Sequence, residues 1–230
     1  MSVAQQLQEV RRRVGTAAEA AGRKAESVGL IAVSKRQSTA AIREAYAAGQ
    51  RDFGENYLQE LAEKQDELVD CPDIRWHFIG HLQSRKAKEA VQRNAWIHGV
   101  ASLSGIQRLS AAAGPAGITI PVFLQINLAG EASKSGASPG DAESFAAALA
   151  SAPHLDWRGL MAIPPVSEDV GETRAYFRSL RVLRDQLVGT FPQCRGELSM
   201  GMSQDFESAI AEGANWVRVG TAIFGRRPAP

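Results

Sequence analysis

The chain has 230 residues, 44% apolar and 22% charged, the make-up of an ordinary soluble globular protein able to bury a substantial core. Lysine plus arginine number 26 against 25 aspartate plus glutamate, a formal charge of +1, so no broad field recruits nucleic acid or an acidic membrane. Cys71 and Cys194 stand far apart with no CxxC spacing, which points to a reducing, cytoplasmic setting without structural disulfides.

The opening Met1-Ser2-Val3-Ala4-Gln5-Gln6 has no charged region followed by an apolar core, and the apolar run 118–128 is interrupted by Gln125 and Asn127. Neither secretion nor a membrane span is expected. Residues 4–21 place Leu7, Val10, Val14 and Ala17 at helical spacing, an amphipathic opening helix. Strand-like and helix-like segments then alternate: strand 30–35 with helix 39–48, 52–56 with 58–68, 76–80 with 84–93, and 96–100 with 105–113. In the second half, 121–127 precedes helix 141–150, 157–163 precedes 172–188, 197–200 precedes 205–212, and strand 216–220 closes the series.

Eight strands alternating with helices in a chain of this length predict an α/β fold, a single (β/α)8 TIM barrel with an extra N-terminal helix. The competitor, an open doubly wound sheet, usually carries GxGxxG after its first strand, whereas the turn here is Lys35-Arg36-Gln37-Ser38. No Pro/Ser-rich linker divides residues 1–230, so one barrel domain is expected, with loop 130–140 as a surface connection. Arg11-Arg12-Arg13 and Arg226-Arg227 read as solvated faces.

Sites in such a barrel lie at the C-terminal ends of the strands, with phosphate often held after strands seven and eight. Lys35 ends the first strand, where burial at the base of the stem favours a neutral, nucleophilic amine able to form a Schiff base. The plainer alternative is a lysine that reaches into solvent. Asn56 ends the second strand, and Gly220-Thr221 ends the eighth. Ser203 can cap the helix beginning near residue 205; with the Gly220-Thr221 turn, that helix start makes a candidate phosphate cup. Arg218 is in phase with Trp216 and Gly220 on a buried strand and needs a partner, either a core carboxylate such as Glu55 or Glu197 or an acceptor on a ligand. His77 and His81 are four apart but lie in strand-like sequence without HExxH, so a metal is not expected.

Six segments in order, Ala32-Val33-Ser34-Lys35, Phe53-Gly54-Glu55-Asn56-Tyr57, Trp76-His77-Phe78-Ile79-Gly80-His81-Leu82-Gln83, Gly159-Leu160-Met161-Ala162-Ile163, Leu198-Ser199-Met200-Gly201-Met202-Ser203 and Val217-Arg218-Val219-Gly220-Thr221-Ala222-Ile223-Phe224-Gly225, resemble the pyridoxal phosphate homeostasis protein family. The resemblance implies a barrel of the alanine racemase N-terminal domain type that holds pyridoxal 5′-phosphate (PLP) as a Schiff base on Lys35. Ser203, Gly220 and Thr221 would hold the phosphate, Arg218 would face the pyridine nitrogen, and Asn56 and Met161 would line the cofactor. A permanently charged arginine there disfavours protonation of the ring, so strong carbanion chemistry is not expected.

Alanine racemase needs two bases, one of them from a separate C-terminal domain. The present sequence ends at Pro230, so a second base is expected only from Tyr57, His81 or a partner. The leading reading is therefore a monomeric carrier that buffers PLP and delivers it to PLP-dependent apo-enzymes, without being primarily an enzyme. A PLP-dependent amino-acid racemase is the alternative, and a PLP-independent Schiff-base lyase acting on a sugar phosphate is a third.

Overall fold

The computed structural model describes residues 1–131, 135–165, 167 and 169–225. The opening helix α1 (Val3–Ala20) starts at a capping box, in which Gln5 N donates to Ser2 Oγ and Ser2 N donates to Gln5 Oε1. Its buried stripe is Leu7, Val10, Val14 and Ala18. Ala18 rather than Ala17 completes it, because three turns of 3.6 residues from Leu7 fall at position 18. Each fully buried leucine or valine contributes roughly 1.5–3 kcal/mol, so the stripe is the main anchor of the helix.

Eight parallel strands follow in chain order: β1 (Gly29–Val33), β2 (Asp52–Glu55), β3 (Arg75–Phe78), β4 (Trp96–Val100), β5 (Ile120–Gln125), β6 (Leu155–Met161), β7 (Glu197–Ser199) and β8 (Trp216–Val219). Each pairs with the next, and β1 closes on β8 with Gly29 opposite Trp216 and Ala32 opposite Val219. The expected (β/α)8 barrel is thus closed. Between the strands lie α2 (Thr39–Ala47), α3 (Leu58–Glu67), α4 (Ala87–Gln92), α5 (Leu103–Ala116), α6 (Ala142–Ala150), α7 (Val170–Thr190) and α8 (Phe206–Ala211), and a short α9 (Thr221–Phe224) follows β8. Helix α1 packs against α2, α8 and α9.

The departures from the sequence reading have local causes. The expected helix 84–93 begins as a 3-10 turn, Ser84–Lys86, before α4. Helix α5 is longer than expected at both ends, because Ser102 Oγ accepts from Gly105 N and Gly117, at φ 65, supplies the left-handed stop. Helix α7 starts at Val170 because the Asp169 carboxylate accepts from Gly171 N and Glu172 N. The basic run in α1 is not simply a solvated face: Arg11 donates to Ala48 O and Gln50 Oε1, and Arg13 pairs with Glu207. Arg226 and Arg227 lie outside the described residues. So do residues 132–134 of loop 130–140, while its described end is tied to the sheet by Ala137 N to Gln125 O at 2.9 Å.

Candidate functional site

The C-terminal ends of the strands surround a cavity of about 380 Å³ whose lining includes Lys35, Asn56, Ser203, Arg218, Gly220 and Thr221. The volume lies within the roughly 300–1,000 Å³ usual for small-molecule sites. Six of the seven site residues singled out from the sequence are therefore gathered at one place. Met161 is the seventh: it ends β6, is fully buried, and is not part of the lining, where Ile163, Pro164 and Pro165 stand instead.

Lys35 lies two residues beyond β1 rather than in it. The strand stops because Ser34 to Gln37 form a turn, with Gln37 N donating to Ser34 O at 2.9 Å and Arg36 in the left-handed region at φ 60. A non-glycine residue in that conformation costs about 1 kcal/mol or more and persists only when its surroundings hold it. Here Glu60 Oε1 accepts from Arg36 N, and Lys64 Nζ reaches across to Ser34 O at 2.7 Å, to Glu55 Oε1 at 2.8 Å and to Glu60 Oε1 at 2.8 Å. Ser34 Oγ also donates to Glu55 Oε1, at 2.6 Å. Burial pushes the Glu55 carboxyl up, against the opposing pull of Lys64, and its Oε2 has no hydrogen-bond partner among the described residues. The turn that carries Lys35 thus rests on a buried ionic cluster.

Ser203 does not cap α8. The N-cap position belongs to Asp205, and Ser203 Oγ instead accepts from Gly220 N at 3.3 Å, joining the loop after β7 to the end of β8. Asp205 Oδ1 turns back to accept from Met202 N, and burial raises its pKa. The sharp entry to this loop depends on Gly201, at φ 94, where a Cβ would stand 2.6 Å from Ala209 Cβ. After Gly220 the first amides of α9 have no intrahelical acceptor, as at any helix start.

Arg218 is 4% exposed and touches neither Glu55 nor Glu197, the carboxylates the sequence offered as partners. Glu55 is engaged by Lys64 and Ser34, and Glu197 by Arg158 and Trp216. The guanidinium donates through Nη1 to Ser199 O at 2.7 Å and Ser199 Oγ at 2.8 Å, and through Nη2 to Ala162 O at 3.0 Å. These use three of the five N–H groups of an arginine, and the other two have no acceptor among the described residues. Burial lowers its pKa to about 10, with Asp205 acting in the opposite sense.

The sequence reading missed the Lys64 cluster and a chain of polar side chains inside the barrel. His77 Nε2 meets Asp52 Oδ1 at 2.9 Å, His77 Nδ1 meets His98 Nε2 at 3.0 Å, and His98 Nδ1 meets Ser199 Oγ at 2.8 Å. Because β4 and β7 are not neighbours, the His98–Ser199 contact crosses the barrel interior. The available signal was phase: Asp52 and Gly54 alternate with Phe53, and Gly54 registers with His77. His81 is exposed and lines a neighbouring cavity with Asn127 and Asn56. Tyr57 is 59% exposed. Among the described residues no group of three or more His, Cys, Asp or Glu could hold a metal, and no helix is long and apolar enough to cross a membrane.

The closed parallel barrel with its strand-end cavity defines a protein of the alanine racemase N-terminal domain class, and residues 5–228 match that family. Curated relatives named pyridoxal phosphate homeostasis protein include that of Pseudomonas aeruginosa, 49% identical over 228 residues that cover 98% of this chain and 96% of the relative. That of Escherichia coli K12 is 41% identical over 234 residues, covering 98% and 97%. The solved structure of PipY from Synechococcus elongatus PCC7942 with PLP bound superposes with a TM-score of 0.88 at 44% identity, covering 97% of this chain and all of that one. The chain belongs to the pyridoxal phosphate homeostasis protein family.

Proposed function

We propose that this protein binds PLP in the strand-end cavity, attached through Lys35, and serves PLP homeostasis by holding the cofactor and giving it up to apo-enzymes. The observation that carries this reading is Arg218: a buried guanidinium without a contacting carboxylate among the described residues, on the wall of the cavity that Lys35 also lines. A buried N–H without a partner is unfavourable, so the two open N–H groups call for an acceptor that no described residue supplies. A pyridine nitrogen provides a neutral one.

The residues present fit the cofactor. Lys35 offers the amine; Ser203 Oγ and the backbone around Gly220 and Thr221 offer a phosphate seat; Asn56 and Ile79 close a side. When bound, PLP supplies an aldehyde that condenses with an amine and, with a protonated ring, an electron sink. Arg218 would face the ring nitrogen as a hydrogen-bond donor, which would disfavour its protonation and keep the sink weak. Ser34, Lys64 and Glu60 hold the turn on which Lys35 sits. Neither Tyr57 nor His81, the side chains named for a second base, lines the cavity of Lys35. This arrangement favours a carrier over a racemase.

Loading the protein with PLP, removing free cofactor and adding a PLP-dependent apo-enzyme tests the reading. Stoichiometric recovery of the enzyme's activity is expected, together with no exchange of α-protons when single-enantiomer amino acids are incubated with the loaded protein in deuterium oxide. Catalytic α-proton exchange would replace the carrier with an enzyme.

A further inference from the structure

The interior of such a barrel is ordinarily packed with branched apolar side chains in layers. In this one a line of hydrogen bonds runs from Arg75, at the start of β3, through Asp52, His77, His98 and Ser199 to Arg218 near the end of β8. Asp52, His77, His98, Ser199 and Arg218 are all buried, and both imidazoles are completely so. The rings are sealed by aromatics: His77 lies 5.2 Å from Trp96 and 5.3 Å from Trp216, and His98 stacks on Phe123 at 4.4 Å.

The direction of every proton in this line follows from its two ends. Arg218 can only donate, so Ser199 Oγ accepts from it at 2.8 Å; the Asp52 carboxylate can only accept, which puts hydrogen on His77 Nε2 and, with both rings neutral, leaves the Ser199 hydroxyl to donate to His98 Nδ1. His98 Nδ1 is then the bare nitrogen, and Nε2–H donates to His77 Nδ1. His77 Nε2–H in turn donates to the Asp52 carboxylate, which also accepts both arms of Arg75. Both histidines are thereby neutral Nε2–H tautomers, in keeping with burial, which pulls His77 down and His98 well below the ordinary range. The Asp52 carboxyl is held below its usual value: burial opposes ionisation, but the bonds from His77 and Arg75 outweigh it.

We propose that Asp52, His77, His98 and Ser199 form a one-way relay of hydrogen bonds that positions Arg218, fixing its Nη1 face on Ser199 so that its two open N–H groups are presented to the cavity. The relay deepens the PLP reading and rests on it: these four are positioning residues for the guanidinium that would meet the ring nitrogen. A core built only for stability would be served as well by apolar residues of similar volume. The polar line ends on the cavity's buried cation, and only at that end does its direction matter. Reversing the Ser199 hydroxyl would turn its hydrogen toward Arg218.

The test has two arms on the full chain. Protein carrying 15N-labelled histidine is examined by NMR without PLP at about pH 6 to 8. Two resonance sets are expected with the neutral Nε2–H pattern, unchanged across the range and lost singly in His77→Phe and His98→Phe. An imidazolium or an Nδ1–H tautomer at either site would overturn the relay. In the second arm, PLP affinity and the absorption band of bound PLP are measured for His98→Phe, Arg218→Leu and the double variant. His98→Phe is expected to weaken binding about tenfold, the scale of one charge-assisted hydrogen bond. It should move the band in the same direction as Arg218→Leu, and the double variant should go no further. Folding is checked by near-ultraviolet circular dichroism, and Ser199→Ala, a smaller change, should act the same way if His98→Phe does not fold. Wild-type affinity and an unshifted band in a folded relay variant would overturn the proposal. A wild type that binds no PLP would instead overturn the PLP reading, together with the cofactor-directed part of the relay.

Discussion

Replacing Lys64 with methionine removes the cation of the cluster behind Lys35 while keeping most of the side-chain volume. The wild-type pair is deeply buried, with the Lys64 side chain 7% exposed and that of Glu55 0%, and Nζ bonds Glu55, Glu60 and the Ser34 carbonyl together. Taking one partner from such a pair costs about 3–5 kcal/mol, since the remaining charge stays buried. Burial already raises the Glu55 pKa, and without Lys64 it rises further. A carboxyl whose folded pKa exceeds its unfolded value of about 4.3 contributes stability that is complete below that value and lost as pH rises through the folded one. The variant should therefore lose the full amount at neutral pH and much less near pH 4, as read from urea unfolding at both pH values. Glu55→Leu combined with Lys64→Met should recover most of the loss. A deficit under about 1 kcal/mol, equal at the two pH values, would mean that the pair behaves like a surface contact and that the turn carrying Lys35 does not depend on it.

Glu212, whose side chain is 2% exposed, meets Arg174, Arg178 and Arg181; burial works to raise its pKa, but these arginines prevail and lower it. Its stabilisation is present above the unfolded carboxyl value and fades as pH falls, so Glu212→Gln should destabilise by about 1–2 kcal/mol at neutral pH and by less toward pH 3 in chemical unfolding. Gly201→Ala brings a Cβ to 2.6 Å from Ala209 Cβ at φ 94, and should cost about 2 kcal/mol or more while weakening PLP binding by displacing the Ser203 loop. Ser203→Ala should weaken binding of PLP about tenfold but leave phosphate-free pyridoxal unaffected in parallel titrations.

The architecture was legible because period-two and period-3.6 patterns alternate cleanly through the chain, and each of the eight expected strands overlaps an observed one. The shortest α-helix escaped: α9 spans four residues, too few for a periodic pattern to appear. The strand-end rule brought Lys35, Asn56, Ser203, Arg218, Gly220 and Thr221 to one cavity, since in a closed barrel residues far apart in sequence share a rim. It could not show what each residue contacts. Ser203 looked like a helix cap, but the loop turns at Gly201 and leaves that position to Asp205. Glu55 looked available to Arg218, yet alternation along β2 sends it toward Ser34 and Lys64. The link from His98 to Ser199 joins residues 101 positions apart across the barrel, and a single sequence carries no local mark of such a contact.

Attachment of PLP to Lys35 in this cavity is read from the absorption spectrum of the protein with added PLP, followed by borohydride reduction and peptide mapping. A visible band that is absent from Lys35→Ala is expected, with a reduced adduct on the peptide containing Lys35. No band in the wild type, or an adduct mapped to another lysine with Lys35→Ala unaffected, would contradict it.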